Sequence, residues 1–278
     1  MIKPPKNDKI IKSHHTFALA LIPLLLVSIF FATSGFANET VDLTTRGDVT
    51  QRFLWMPRDG ATASVILFPG GKGKIKITDD GDIKKGGNFL VRSRDKFANH
   101  KLNVAVFDAP SDQYGKKGMK DGAFRNSDEH INDIAAVITN IKTKTKAPVW
   151  LVGTSRGTES AAYGAIRLAE MIDGLILTAS MSEENDNGVS LPEMELNKIT
   201  VPTLIISHED DQCHVTTPEG SEIIKDGLTK APRVELKYFT GGDSPRSSPC
   251  KAKSAHGFLG IEAEVVKYIA DFIKVNSQ

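Results

Sequence analysis

Short apolar runs alternate along the chain with longer amphipathic stretches, and the two patterns predict different elements. Runs of five to seven mostly apolar residues indicate strands buried in a sheet: 63–68, 103–107, 147–152, 174–178 and 201–207. Residues 233–239 alternate apolar and polar side chains, which predicts a last strand. Two earlier runs, 42–46 and 51–56, indicate an antiparallel start to the sheet.

Helical spacing follows most of these strands, over 88–100, 127–141, 158–170, 217–228 and 259–275. The second of these helices has the clearest pattern, because Ser127 can cap its start and isoleucines recur on one face. Strands that alternate with helices predict an α/β fold with a doubly wound, mostly parallel sheet flanked by helices. In such a sheet, a site lies at the carboxyl ends of the strands.

Two polar segments are interpreted as solvated. One is the loop 72–87, which is rich in Asp, Lys and Gly. The other is the polar side of the helix over 127–141, where Asp128, Glu129, His130 and Asp133 are expected on the surface rather than in a site.

Residues 1–37 have the composition of a signal peptide. A leader with four lysines precedes a 16-residue uncharged core, Phe17–Ala32, and Gly35-Phe36-Ala37 places small residues where a signal peptidase reads them. We expect cleavage after Ala37, export to the periplasm or the medium, and one domain over 38–278. The alternative is an uncleaved N-terminal membrane anchor, since the core is slightly long for a signal peptide and short for a span.

The 278 residues, 40% of them hydrophobic, are enough for one large α/β domain, and the net charge is +1. Cleavage after Ala37 would remove four lysines and one aspartate and leave about −2. This near-neutral charge favours neither nucleic acid nor an anionic membrane surface as a partner. We expect no stable membrane partner after cleavage, and the oligomeric state stays open.

Cys213 and Cys250 are the two cysteines of the chain. An even count in an exported protein predicts a disulfide. Two buried free thiols are the alternative if the protein stays in the cytosol. No His-Glu-x-x-His or comparable spacing indicates a metal site, so we expect no metal and no cofactor.

The stretch Gly153-Thr154-Ser155-Arg156-Gly157 follows a predicted strand and precedes a predicted helix. A strand that turns into a helix through Gly-x-Ser-x-Gly is a nucleophile elbow, and in this respect the chain resembles the α/β-hydrolase family of serine esterases, lipases and peptidases. The resemblance covers nearly all of residues 60–275.

The resemblance implies a triad in the order Ser155, Asp211, His256. His256 is the histidine between the last strand and the last helix, in a Ser-Ala-His-Gly-Phe setting similar to the family's histidine loop. His208 and His214 are interpreted as structural. Asp210 stays the alternative to Asp211 as the acid. If Cys213 pairs with Cys250, the bond would tie the loop of the acid to the loop of the base.

The same resemblance places an oxyanion hole at the backbone N–H groups of Gly71 and Arg156. The Arg156 side chain either attracts an anionic substrate or forms a salt bridge with a nearby acid, and we favour the salt bridge. The connection 179–199 is short, which implies a small lid or none. Together these features predict a secreted or periplasmic serine hydrolase acting on a small carboxylic ester or thioester. The alternatives are a serine peptidase or amidase, and a binding protein that kept the fold.

Overall fold

The computed structural model describes residues 1–4, 37–120, 123–185 and 188–277. The chain divides into two units, Met1–Ser34 and Gly35–Gln278, and the strands and helices of the described residues all lie in the second. The predicted signal peptide falls almost wholly outside the described residues, so cleavage after Ala37 stays a prediction. Within the described ranges, no helix has the length and apolar character needed to cross a membrane.

The described residues form one eight-stranded sheet. Its strands are β1 (Glu39–Arg46), β2 (Val49–Met56), β3 (Ala63–Phe68), β4 (Leu102–Phe107), β5 (Val149–Ser155), β6 (Gly174–Ser180), β7 (Thr203–His208) and β8 (Val234–Phe239). Their order across the sheet is β1-β2-β4-β3-β5-β6-β7-β8. β2 pairs antiparallel with β1 and with β4, and the other pairings are parallel. The predicted sheet and its antiparallel start are confirmed.

Five α-helices of the described ranges flank the sheet: α1 (Phe89–Asn99), α2 (Asp128–Lys144), α3 (Gly157–Arg167), α4 (Gly220–Gly227) and α5 (Glu262–Asn276). Asn88 and Ser127 cap α1 and α2, because their side chains accept hydrogen bonds from backbone N–H groups of the first turn. The N-cap predicted at Ser127 is confirmed.

Two hydrophobic layers hold the helices against the sheet. Side chains of β3 alternate between them: Val65 and Leu67 pack with α1 and α5, while Ile66 and Phe68 pack with α2, α3 and α4. This alternation follows from the period of two in a strand. Each fully buried side chain of this size stabilises the fold by about 2 kcal/mol, so the sheet is a rigid base for the loops at its carboxyl edge.

The loop 72–87 is less exposed than the sequence suggests. Ile75 and Ile77 are almost fully buried. Their N–H groups donate to the carboxylate of Asp108, just after β4, at 2.8 and 2.9 Å. The carboxylate of Asp108 accepts hydrogen bonds from two backbone N–H groups that lie outside the strands of the sheet. This allows the loop to pack onto the core.

The interpretation of His130 and Asp133 as surface residues is wrong, because both are fully buried. Asp133 forms a salt bridge of 2.9 Å with Arg46 of β1, and His130 packs edge-on against Phe107. The isoleucine stripe of α2 faces the sheet, as predicted. The hairpin of β1 and β2 covers a second side of this helix, and a helical period does not reveal such a neighbour.

Candidate active site

Ser155 lies at the end of β5, where the strand turns into α3. Its φ is +51°, a left-handed conformation that costs energy for a residue with a side chain. The register between β5 and β6 shifts at this point, because Thr154 pairs with Thr178 whereas Ser155 pairs with Ser180. Ser155 is thus the last residue of β5, placed after the register shift and just before the turn, and its side chain is partly exposed.

The glycines on either side of Ser155 are required by close packing. A Cβ at Gly153 would collide with the backbone of Gly157, and a Cβ at Gly157 would collide with the carbonyl oxygen of Phe68 in β3. The Gly-x-Ser-x-Gly pattern thus lets β5 and α3 approach each other and β3.

His256 and Asp211 form a buried pair at the ends of different strands. Nδ1 of His256 lies 2.9 Å from Oδ2 of Asp211, and both side chains are at most 6% exposed. Oδ1 of Asp211 accepts a hydrogen bond of 3.0 Å from the N–H of Cys213. Asp210 is exposed, and its carboxylate lies 3.9 Å from a different histidine, His208. Asp211, and not Asp210, contacts the imidazole of His256.

Thr216 completes this pair, and the sequence reasoning missed it. Its hydroxyl donates to Oδ2 of Asp211 at 3.0 Å and lies 3.0 Å from Nδ1 of His256. Its N–H donates to the carbonyl of Cys213 at 3.0 Å, which closes the turn after the acid. The only available sequence signal was a hydroxyl residue five positions after an acidic one, and that pattern is too common to single out Thr216.

The other two histidines near the acid play different parts. His208 is buried, receives a hydrogen bond from the N–H of Asp210 and lies 3.0 Å from the carbonyl of Gly241. These contacts agree with the structural role predicted for His208. His214 is exposed, and its Nδ1 lies 3.7 Å from Sγ of Cys250.

Ser155 and His256 line one cavity of about 210 Å³, together with Gly70, Gly71 and Asn88 among other residues. No hydrogen bond joins Ser155 Oγ to the imidazole among the described contacts. Catalytic hydrogen bonds are often long in a free enzyme and tighten when substrate binds. The cavity brings the serine, the imidazole and the predicted oxyanion loop to one place.

The peptide groups of residues 69–71 are held in a defined orientation. The carbonyl of Gly70 accepts from the N–H of Gly73 at 3.2 Å, so the N–H of Gly71 points the opposite way across the planar peptide. Arg125 donates from Nη2 to the carbonyls of Pro69 (3.1 Å) and Gly71 (3.3 Å). The guanidinium therefore fixes the peptide on each side of the predicted donor.

Arg125 is the second residue that sequence reasoning missed. It is 1% exposed, and burial lowers its pKa to about 10, which leaves it protonated at neutral pH. Its Nη1 donates to Oγ of Ser160 at 2.6 Å, and that hydroxyl also lies 2.9 Å from Nε2 of His130. Burial lowers the pKa of His130 well below its ordinary value, so this imidazole is neutral.

The side chain of Arg156 forms the salt bridge that the sequence favoured. Nη1 lies 3.1 Å from Oε1 of Glu159, and Nη2 donates to Oδ1 of Asn185 at 2.5 Å. Glu159 is 1% exposed, and burial raises the pKa of its carboxyl to about 7 despite the opposing effects of Arg125 and Arg156. The guanidinium of Arg156 thus contacts groups within the protein.

Cys213 and Cys250 are joined by a disulfide, as predicted, with their Cα atoms 4.6 Å apart. Cys213 lies two residues after Asp211, and Cys250 lies six residues before His256. The bond therefore links the loop of the acid to the loop of the imidazole. Among the described residues, no three His, Cys, Asp or Glu side chains come together in a way that could hold a metal ion.

The sheet order, the crossing helices and the serine turn at the end of β5 define the class: the chain has the α/β-hydrolase fold. Three solved structures with this likeness are an esterase from Pyrococcus furiosus, a dienelactone hydrolase from Anabaena variabilis and a soluble variant of monoglyceride lipase from Saccharomyces cerevisiae. Their identities to this chain are 17%, 12% and 13%, and the TM-scores are 0.63, 0.60 and 0.61.

Each comparison covers 87% of this chain, and 94%, 99% and 96% of the respective structures. At these identities the likeness concerns the fold. No family profile and no curated protein matches the sequence.

Proposed function

We propose that the protein is a serine hydrolase that cleaves a carboxylic ester or thioester through an acyl-enzyme on Ser155. The observation that carries this proposal is the buried Asp211–His256 pair, which opens on the same cavity as Ser155. The names of the three structural neighbours, an esterase, a dienelactone hydrolase and a lipase, support hydrolysis of an ester.

In the proposed reaction, Oγ of Ser155 attacks the carbonyl carbon while Nε2 of His256 takes its proton. The imidazolium then gives that proton to the leaving oxygen or sulfur. In the second half of the reaction, water attacks the acyl carbon while the imidazole takes its proton, and the imidazolium protonates Oγ of Ser155 as the acid is released. Asp211 accepts the Nδ1–H hydrogen bond, which fixes the tautomer and stabilises the cation. The backbone N–H groups of Gly71 and Arg156 would bind the oxyanion.

Labelling with a fluorophosphonate probe tests this proposal. We expect the wild type to be labelled, and Ser155→Ala to be folded but unlabelled. Ser244→Ala, which removes an exposed serine from the loop after β8, is the matched control and should be labelled like the wild type. A folded wild type that takes up no label would favour the alternative of a binding protein with this fold.

Esters and amides with the same acyl group distinguish an esterase from a peptidase or amidase. The same machinery cleaves amides, so a peptidase or amidase is the second candidate. Matched 4-nitrophenyl esters and 4-nitroanilides of one acyl group should show a higher kcat/KM for the ester. Faster release of the anilide would favour the amidase.

We further propose that the protein is exported and cleaved after Ala37. The disulfide supports this location, because such bonds persist in oxidising compartments. Mass spectrometry of the protein from periplasmic and culture fractions should find a mature chain that begins at Asn38. A chain that begins at Met1 in the membrane fraction would favour the anchored alternative.

A further inference from the structure

A second cavity, of about 520 Å³, adjoins the one that contains Ser155. The two cavities share Gly71, Cys250 and Lys251 as lining residues. A substrate whose carbonyl carbon lies at Ser155 would therefore extend into this second cavity. We call it the lysine cavity, after its lining residues Lys72, Lys120 and Lys251.

Cations outnumber carboxylates in the lysine cavity. Among its described lining residues, Glu184 is the one carboxylate, against three lysines and Arg156. The guanidinium of Arg156 contacts Glu159 and Asn185, whereas the three lysines form no ion pair with the described residues. The chain as a whole carries a net charge of only +1, so this local excess is not a result of overall basicity.

The segment that carries Lys72 is fixed by contacts with residues 116–119. The carbonyl of Lys72 accepts a hydrogen bond from the N–H of Met119 at 3.0 Å, and its Nζ donates to the carbonyl of Lys116 at 2.7 Å. A side chain at Gly118 would collide with the backbone of Lys72. The residue directly after the predicted oxyanion donor is therefore packed against the segment that supplies Lys120.

We infer that the lysine cavity binds an anionic group, a carboxylate or a phosphate, of a substrate whose ester or thioester carbonyl lies at Ser155. This inference rests on the proposed function and specifies its substrate class. Three ammonium groups attract an anion by charge and by hydrogen bonding, and they also increase the rate at which it arrives. Because Lys72 and Lys251 are exposed and Lys120 is partly exposed, salt weakens this attraction.

Two matched pairs of esters test the inference. Mono-4-nitrophenyl adipate and its methyl ester differ by one charge on the acyl side. 4-Acetoxybenzoate and its methyl ester differ by one charge on the leaving group. For at least one pair, we expect the wild type to have the higher kcat/KM for the anionic ester. The pair that responds identifies which side of the substrate occupies the lysine cavity.

The triple variant Lys72→Gln/Lys120→Gln/Lys251→Gln should lower the anionic-to-neutral ratio of kcat/KM about tenfold at low salt, on the order expected for three solvent-accessible charges. The control variant Lys142→Gln/Lys230→Gln/Lys274→Gln removes as many exposed charges, located at the ends of α2 and α5 and just after α4. It should keep the wild-type ratio.

The inference is overturned if the wild type and the lysine-cavity variant have the same anionic-to-neutral ratio of kcat/KM. It is also overturned if the control variant changes that ratio as much as the lysine-cavity variant does. Both results leave the proposed hydrolase activity intact. If neither ester pair is cleaved and the fluorophosphonate probe does not label Ser155, the proposed function itself fails. The two failures therefore differ in an observable way, because only the second abolishes cleavage of the neutral esters.

Discussion

The hydroxyl oxygen of Thr216 lies 3.0 Å from Nδ1 of His256, the ring nitrogen that also faces Asp211. The same hydroxyl donates a hydrogen bond to the carboxylate of Asp211. Thr216 thus holds the acid and the imidazole in one geometry without contacting the cavity itself. We describe it as a positioning residue.

Thr216→Val should lower kcat about tenfold with little change in KM, because a hydrogen bond to a charged carboxylate contributes about 1.5 kcal/mol. Steady-state kinetics on a neutral 4-nitrophenyl ester measure both constants. Thr216→Ser keeps the hydroxyl and should retain most of the wild-type kcat. If serine and valine lower kcat equally, the methyl packing matters and the hydroxyl does not.

Arg125→Met should lower both stability and turnover. The substitution leaves the carbonyls of Pro69 and Gly71 and the hydroxyl of Ser160 without their charged donor, so we expect a loss of about 2 kcal/mol or more in the free energy of unfolding. It also frees the loop that carries the predicted oxyanion donor, so kcat should fall at least about tenfold. Urea unfolding and ester kinetics measure the two effects.

Ser160→Ala is the matched control for Arg125→Met. It removes one partner of Arg125 but keeps the two hydrogen bonds to the loop carbonyls. Its kcat should therefore stay near the wild-type value even though its stability falls. A parallel loss of kcat in both variants would show that Arg125 acts through general stability rather than through the loop.

Glu159 should make the stability depend on pH. Its pKa is about 7 in the folded protein, against an ordinary value of 4.5. Between these values the folded protein holds a proton that the unfolded chain has released, so the contribution of Glu159 to the free energy of unfolding falls as the pH rises. Above pH 7 the full cost is about 3 kcal/mol.

Glu159→Gln removes this titration. The free energy of unfolding of the variant minus that of the wild type should therefore increase by about 3 kcal/mol between pH 4.5 and 8. His130, which is buried and neutral, affects both proteins alike and cancels in the difference. Glu129→Gln, at an exposed position on α2, should give a constant difference. Parallel curves for Glu159→Gln and wild type would contradict the prediction.

Removing the disulfide with Cys213→Ala/Cys250→Ala should lower the free energy of unfolding by about 4 kcal/mol, from the chain entropy of a loop of this length. Because the bond links the loop of Asp211 to the loop of His256, turnover should fall at urea concentrations where the variant is still folded. Reductant should affect the wild type in the same way and leave the variant unchanged. Activity that is lost only together with the fold would assign the bond a purely stabilising role.

The strands, the helices and the local surroundings of Ser155 could be read from the sequence, because each depends on residues close together in the chain. The apolar runs specify the sheet, and the glycines around Ser155 are needed for contacts between adjacent elements. The contact of Asp211 with His256 spans 45 positions, and only the resemblance to a family suggested it.

Arg125, His130 and Thr216 could not be predicted, because burial of a polar side chain is decided by elements far away in the sequence. Arg125 belongs to a polar segment that is typical of a surface loop. It is buried because the loop after β3 and the first turns of α3 close over it. The burial of His130 likewise depends on Phe68, Phe107 and Phe124, which surround its ring.

The bond between Cys213 and Cys250 closes a covalent ring that contains α4 and β8. Residues 241–246, within this ring, are exposed to solvent, and exposed loops are the preferred sites of proteolytic cleavage. Cleavage of one peptide bond there would open the ring and leave two polypeptide segments joined by the disulfide. The segment that bears His256 and the terminal helix would stay attached to the rest of the molecule. Its release therefore requires two separate chemical events, peptide hydrolysis and reduction, in either order.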